Sequence, residues 1–260
     1  MAVPVHYFTD PACPMSWGHQ PVVRRIATEF GDQIEWRWVM GGLGRDYKGH
    51  EAKLLAFWVE EAGAIEMPMD PLLWRDGPIM SSYPACMAVK AAGDQGFDAE
   101  TRFLRAVREG LLCFRRKLDT TEALVEEARR AGLDVERFRI DFQSNATVEA
   151  FGADLDLTRD VPDGSPREDR VPFPSARVGD TWLFGRFSFD DFAAVADAKP
   201  SGEQLSVNEA FQRFERLAVP EVEAVCGLPG PKAHAELWGL VSEWKLKPLK
   251  TLTGWLFEKA

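Results

Sequence analysis

The chain has 260 residues, 45% of them hydrophobic and 28% charged, which is enough for one good core plus an accessory module and excludes a largely disordered chain. The 31 Lys and Arg against 41 Asp and Glu give a net charge of −10, and the short basic runs Arg115-Arg116-Lys117 and Arg129-Arg130 are flanked by acids, which argues against a nucleic-acid partner. No apolar stretch approaches the roughly 20 residues that span a bilayer.

Val3 to Phe8 reads as a short apolar strand, Asp10-Pro11 as a turn, and Ser16 to Phe30 as an amphipathic helix with Val22, Val23, Ile26, Ala27 and Phe30 on one face. Gly31-Asp32-Gln33 ends that helix, and Ile34 to Met40 alternates as a second strand before the Gly41-Gly42 break. The turn presents Cys13 where a helix begins. Unpaired N–H groups and the positive end of the helix dipole favour a thiolate there, so the sequence predicts a Cys13 pKa well below the usual value of about 8.5. The alternative is an inert cysteine packed as a small hydrophobe. His19 either faces the thiol and tunes it or is an exposed polar residue.

The next section alternates amphipathic helices with turns and is too long for a loop. Helices are predicted at Glu51–Ala62, Tyr83–Gly93, Ala99–Cys113, Thr121–Ala131 and from Val135 to Thr147 or beyond, with Asp98 capping the third and Thr120 or Thr121 the fourth. The proline-broken, methionine-containing run Ile65 to Trp74 reads as core packing for most of its side chains, with the lining of a groove for peptides or a small hydrophobic ligand as the alternative, and Trp17 and Trp74 are the candidates for exposed aromatic contacts. Cys86, Cys113 and Cys226 fall in helical patterns and read as packing residues.

Val171-Pro172-Phe173-Pro174-Ser175 leads into a strand at Ala176–Val178, a turn at Gly179-Asp180 and a hairpin partner at Trp182–Gly185, after which Ser188 caps a helix. Beyond Pro200-Ser201-Gly202, helical patterns occupy Val207–Leu217, Val219–Cys226 and Pro231–Glu243, followed by a tryptophan-bearing tail. Residues 218–229 have a helix–turn–helix look but no cluster of Lys and Arg on the second helix. Apolar stripes through Phe211, Phe214, Leu217, Leu237, Trp238 and Val241 suit docking or a homodimer.

The run Phe8-Thr9-Asp10-Pro11, the motif Cys13-Pro14-Met15-Ser16 and the following Trp17 together resemble the DsbA-like branch of the thioredoxin superfamily, in particular bacterial DsbA-type proteins with a large helical insertion. The resemblance implies an α/β, thioredoxin-like fold with a large α-helical insertion and a C-terminal helical extension: residues 1–48 and 160–200 as the thioredoxin-like domain, 49–159 as the insertion and 201–260 as the extension. It implies Cys13 as nucleophile, Ser16 as a thiolate-stabilising residue and a cis-proline at Pro174, with Pro172 the second choice. Substrate contacts would come from Pro14, Trp17, Phe173 and Trp74.

Ser16 stands where a dithiol enzyme carries its resolving cysteine, so a mixed disulfide on Cys13 needs an outside thiol such as glutathione. The expected function is thiol–disulfide exchange or isomerisation through a single cysteine, with no bound cofactor and glutathione as co-substrate. Partners would be protein thiols or disulfides, or a small glutathione-linked substrate. Four histidines and no Cys-x-x-Cys pair leave no metal site to expect. No charged and apolar signal stretch precedes the first strand, so a cytoplasmic location with only transient disulfides is expected. Two alternatives stay open. One is a redox-inactive adaptor, similar to the thioredoxin-fold adaptor that delivers a transcription regulator to the Clp protease. The other is a glutathione-dependent isomerase or kappa-type transferase, families that usually place serine where this chain has Cys13.

Overall fold

In the computed structural model, which describes residues 2–260, Val3–Thr9 (β1) and Ile34–Met40 (β2) pair in parallel with Val5 opposite Trp36 and Tyr7 opposite Trp38. Two helices bridge them, Pro14–Gly18 (α1) and Gln20–Phe30 (α2), where the sequence predicts a single helix from Ser16. The break falls at His19 because Pro21 has no N–H to return to the Trp17 carbonyl. Val23, Ile26 and Phe30 are buried along α2, as their spacing requires.

The insertion comprises Glu51–Ala64 (α3), Leu73–Asp76 (α4), Tyr83–Gly93 (α5), Phe97–Cys113 (α6), Thr121–Arg130 (α7), Val135–Phe142 (α8) and Asn145–Arg159 (α9). Thr120 caps α7, its hydroxyl accepting the Ala123 N–H at 3.3 Å. Gly96, not Asp98, precedes α6, and Asp98 lies in its first turn. The single helix expected from Val135 is two, because Ser144 leaves the helical conformation and its hydroxyl accepts the Thr147 N–H at 3.1 Å to start α9. The helix α9 then returns to the sheet. Buried Asp154 accepts from the Met40 N–H at 3.0 Å and pairs with Arg37 at 3.1 Å and Lys90 at 3.2 Å, tying β2, α5 and α9 together.

Ser175–Val178 (β3) and Thr181–Phe184 (β4) complete a four-stranded sheet of order β2-β1-β3-β4, with β3 antiparallel to both neighbours. Ser188 caps Phe189–Val195 (α10) through a capping box with Asp191. This is the thioredoxin-like α/β arrangement with a large helical insertion. A single apolar cluster runs from the sheet (Tyr7, Met40) through α2 (Ile26) into the insertion (Phe103, Phe138), so the insertion shares the core of the sheet.

Residues 201–260 hold more than helices. Val207–Arg213 (α11), Arg216–Ala218 (β5), Val219–Cys226 (α12), Gly230–Ser242 (α13), Leu246–Lys250 (β6) and Trp255–Lys259 (β7) form a three-stranded antiparallel sheet of order β5-β7-β6 under three helices, the connectivity of a winged helix. Leu217, the last residue of the predicted Val207–Leu217 helix, lies in a strand because β5 pairs with β7, Leu217 opposite Phe257. The tryptophan-bearing tail is a hairpin. The helix–turn–helix look is realised as α12 and α13, with Gly227 in the left-handed conformation (φ 63°) that ends α12. The exposed side of α13 carries Lys232, His234, Ala235 and Trp238 rather than a row of cations. This unit has its own core around Phe211, Val222, Leu237 and Phe257, and α12 packs on α2. No helix among the described residues is long and apolar enough to cross a membrane.

Candidate active site

The strand β1 ends at Thr9 and delivers Asp10 into a fully buried turn. The Asp10 carboxylate is the hub of that turn. It accepts from the Ala12 N–H at 2.8 Å, the Leu43 N–H at 2.6 Å, the Ser82 hydroxyl at 2.9 Å and the Cys86 thiol at 3.3 Å, so β1, the loop after β2 and α5 are fixed around one side chain. Burial nevertheless pushes the Asp10 carboxyl upward, against the pull of those donors. Cys13 follows as the N-cap of α1, its sulfur accepting the Ser16 N–H at 3.4 Å, and Pro14 occupies the first turn where no N–H is needed.

The second half of the site comes from the loop before β3. The Phe173–Pro174 peptide bond is cis, and the carbonyl oxygen of Phe173 lies 3.8 Å from the Cys13 sulfur, which donates toward it. Pro174, rather than Pro172, is therefore the proline at the thiol. Phe8, Val39, Val171 and Phe173 close around Cys13, with Met15, Leu43, Leu157 and Trp182 partly buried at the edge, and leave the cysteine 4% exposed.

That enclosure reverses the expectation of a depressed thiol pKa. Burial pushes the Cys13 thiol up; the Ser16 hydroxyl and N–H pull it back, and the Asp10 carboxylate adds to the rise while the Arg108 guanidinium opposes it. Desolvation of a sulfur anion outweighs one N–H donor and the dipole of a helix only five residues long. Ser16 is fully buried, and its hydroxyl is close enough to the sulfur to act on it electrostatically but makes no hydrogen bond of good geometry. Arg108, which the motif gave no reason to single out, is a buried guanidinium that donates to Thr9 Oγ1 and has no carboxylate partner among the described residues; burial lowers its pKa to about 10.

Several expected contacts belong to the core instead. Trp17 is fully buried, donates from Nε1 to the Pro68 carbonyl at 2.8 Å and lies under the Arg105 guanidinium at 4.5 Å. Trp74 is 3% exposed and meets Tyr47 and Trp58 edge-on at 5.2 and 5.4 Å. Neither is an exposed aromatic contact, because the insertion folds back over both. Met67, Met69 and Leu73 are buried with them, so most of the Ile65–Trp74 run packs the insertion, and only Glu66 and Pro68 line a cavity, of about 290 Å³, against the C-terminal unit.

His19, expected to be exposed or to tune the thiol, is 2% exposed. Its Nε2 donates to the Phe187 carbonyl at 2.7 Å, and its Nδ1 therefore accepts from the Tyr7 hydroxyl at 2.8 Å. Burial holds it neutral and lowers its pKa to about 4. All four cysteines are free. Cys113 donates to the Pro68 carbonyl at 3.2 Å and Cys226 packs in the C-terminal core. Among the described residues no group of three or more His, Cys, Asp or Glu could hold a metal ion.

A family described as Thioredoxin matches residues 6–162, from the first strand through the insertion. The chain belongs to that family. The relatives and structural neighbours of the chain differ in what they are named for. The ClpXP adapter protein SpxH of Halalkalibacterium halodurans is 29% identical over 97% of this chain and 88% of its own length. A solved chain from Nitrosomonas europaea superposes with a TM-score of 0.63 at 18% identity, over 82% of this chain and all of that one. The cytosolic disulfide reductase DsbM of Pseudomonas aeruginosa, solved with GSH, gives a TM-score of 0.56 at 17% identity, over 75% of this chain and 94% of its own.

Proposed function

We propose that this chain is a protein-binding adaptor on a DsbA-like frame, in which Cys13 is held in reserve and does not turn over as a disulfide-exchange catalyst. The observation that carries the reading is the state of Cys13: 4% exposed, with its pKa pushed up by burial and serine at the position of a resolving thiol. A rapid exchange enzyme needs an accessible thiolate. The near full-length similarity to ClpXP adapter proteins supports the same reading, and it makes a bacterial cytoplasmic protein complex the class of partner. The C-terminal unit supports it too, since its own core and its docking through α12 give a second folded surface beyond the thioredoxin frame.

A second reading is favoured by the geometry around the sulfur. The N-cap position, the Ser16 N–H and the Phe173 carbonyl at the cis-proline form the frame on which a thiolate meets a substrate disulfide. In that reading the Cys13 thiolate attacks one sulfur and releases the other as a thiol. A glutathione thiolate then attacks the mixed disulfide at the substrate sulfur, freeing Cys13 as thiolate, and a second glutathione thiolate attacks the glutathione sulfur of the resulting adduct, forming glutathione disulfide and releasing the substrate as its second thiol.

The two readings separate in one experiment. Insulin reduction is followed with excess glutathione, alongside binding to purified ClpXP of the same organism by wild type and Cys13→Ser. Less than one turnover per Cys13, with equal ClpXP binding by both proteins, is the adaptor result. Sustained turnover lost in Cys13→Ser, without ClpXP binding, overturns it in favour of monothiol exchange.

A further inference from the structure

A sizeable cavity lies away from Cys13. It lies where the thioredoxin part, the insertion and the C-terminal unit meet, and has a volume of about 960 Å³. Arg24 reaches it from α2, and Arg102 and Arg105 from α6. Arg116 and Arg130 line the side toward α7, while Arg213, Arg216 and Lys259 close it from the C-terminal unit. Eight cations thus face four carboxylates, Glu109, Glu127, Glu215 and Glu258, in a chain whose net charge is −10. The excess persists when Glu221, buried beneath and paired with Arg24 and Arg105, is counted as well.

We propose that this cavity binds a small polyphosphorylated molecule carrying a flat ring, a nucleotide in chemical class. Part of the positive charge is neutralised internally: Glu109 holds Arg105 and Arg216, and Glu127 holds Arg116 and Arg130. Arg102 and Lys259 have no carboxylate partner among the described residues, and Arg213 donates only to the Ala27 carbonyl at 2.8 Å. The Nε of Arg116 is buried with no hydrogen-bond partner. These donors converge on a half-open cleft, Arg102, Arg213 and Lys259 from its exposed rim, where guanidinium forks match phosphate oxygens two at a time and uncompensated charge concentrates anions.

The walls also carry aromatic faces. Phe214 lies 4.3 Å from the Arg24 guanidinium and 5.7 Å from that of Arg213, and Phe114 lies 5.1 Å from Arg116 and 6.0 Å from Arg216. Such cation–aromatic stacks accept a further flat ring. Walls drawn from three parts of the chain and a volume of about 960 Å³, in the upper range of small-molecule sites, favour a nucleotide over an extended acidic segment of a protein. The inference goes beyond the adaptor reading and does not depend on it.

The test is calorimetric titration of the full chain with tripolyphosphate and with ATP at low salt, on wild type, the Arg102→Ser/Arg213→Ser double variant and Cys13→Ser. Both substituted arginines are exposed and outside the ion pairs, so the double variant should melt as wild type does. Expected is micromolar binding of ATP, tighter than of tripolyphosphate, about 10-fold weaker in the double variant, fading as salt rises and unchanged in Cys13→Ser. Absence of binding by both probes below millimolar concentration overturns the proposal, as does binding indifferent to the double variant. A glutamate-rich peptide that binds where both phosphates fail also overturns it, and assigns the cavity to a protein segment.

Discussion

The Cys13 sulfur lies 3.8 Å from the carbonyl oxygen of Phe173, a residue 160 positions later in the chain. The same residue that presents its backbone to the thiol also covers it with its ring. The ring can sit there because residue 41 has no side chain: a Cβ at Gly41 would fall 1.8 Å from the Phe173 ring. Glycine at 41 and phenylalanine at 173 together keep the thiol enclosed.

Gly41→Ala should therefore open the site. The added methyl forces the Phe173 ring to swing away, water reaches Cys13, and the desolvation that raises the thiol pKa is relieved. Iodoacetamide labelling of Cys13, followed by intact mass against pH, should show an alkaline midpoint in wild type, above that of a free cysteine. The variant should show faster labelling and a lower midpoint. Equal rates in the two proteins would mean that Phe173 does not gate the sulfur.

Ser16→Cys should turn the site into a dithiol. Position 16 already brings its N–H to 3.4 Å from the Cys13 sulfur, and its hydroxyl is buried with no hydrogen bond of good geometry, so a thiol there replaces a group that nothing else holds. Treatment with glutathione disulfide should give glutathionylated protein in wild type and an internal disulfide, two mass units lighter than the reduced form, in Ser16→Cys. A variant that only accumulates mixed disulfide would show that residues 13 and 16 cannot reach each other.

Much of this was legible in the sequence, and the failures share a cause. The strand–turn–helix around Cys13, the helices Glu51–Ala64 and Tyr83–Gly93 and the proline loop follow from periodicity, capping and the motif. What could not be read was how the insertion lies on the sheet. Trp17 and Trp74 look like surface aromatics until the insertion is folded over them, and the thiolate argument counts the helix terminus but not the apolar cover from residues 171 and 173. Asp10 was visible only as a turn residue, because three of its four donors, Leu43, Ser82 and Cys86, arrive from distant segments. The strand β5 was hidden for the same reason, since its partner lies some 40 residues later.

His19 should make stability depend on pH in a definite direction. Its pKa falls from about 6.5 in the unfolded chain to about 4 in the folded one, so between these values the unfolded state binds the extra proton. The stability that rests on neutral His19 is complete above pH 6.5 and is lost as pH falls toward 4, by about 3 kcal/mol. Urea unfolding across that window should show the loss. His19→Gln, which cannot take up a proton, should be less stable near neutrality but show a flatter profile. An equally steep profile in the variant would place the proton uptake on another group.

Glu221 ties three parts of the molecule. Fully buried at the start of α12, it pairs with Arg24 of α2 at 3.3 Å and Arg105 of α6 at 2.7 Å, and accepts the Ala218 N–H at 2.8 Å. Those partners hold its carboxyl below the ordinary range despite burial, so its contribution is present at neutral pH and is lost as pH falls through the lowered value. Glu221→Gln removes one charge and leaves two buried guanidinium groups facing each other, a loss of the kind that costs about 3 kcal/mol or more. The damage should be local before it is global, because the C-terminal unit has its own core. Hydrogen exchange should show α12 and the facing turns of α2 and α6 losing protection while β6 and β7 keep theirs. Uniform loss across the chain would mean that the C-terminal unit does not stand without this contact.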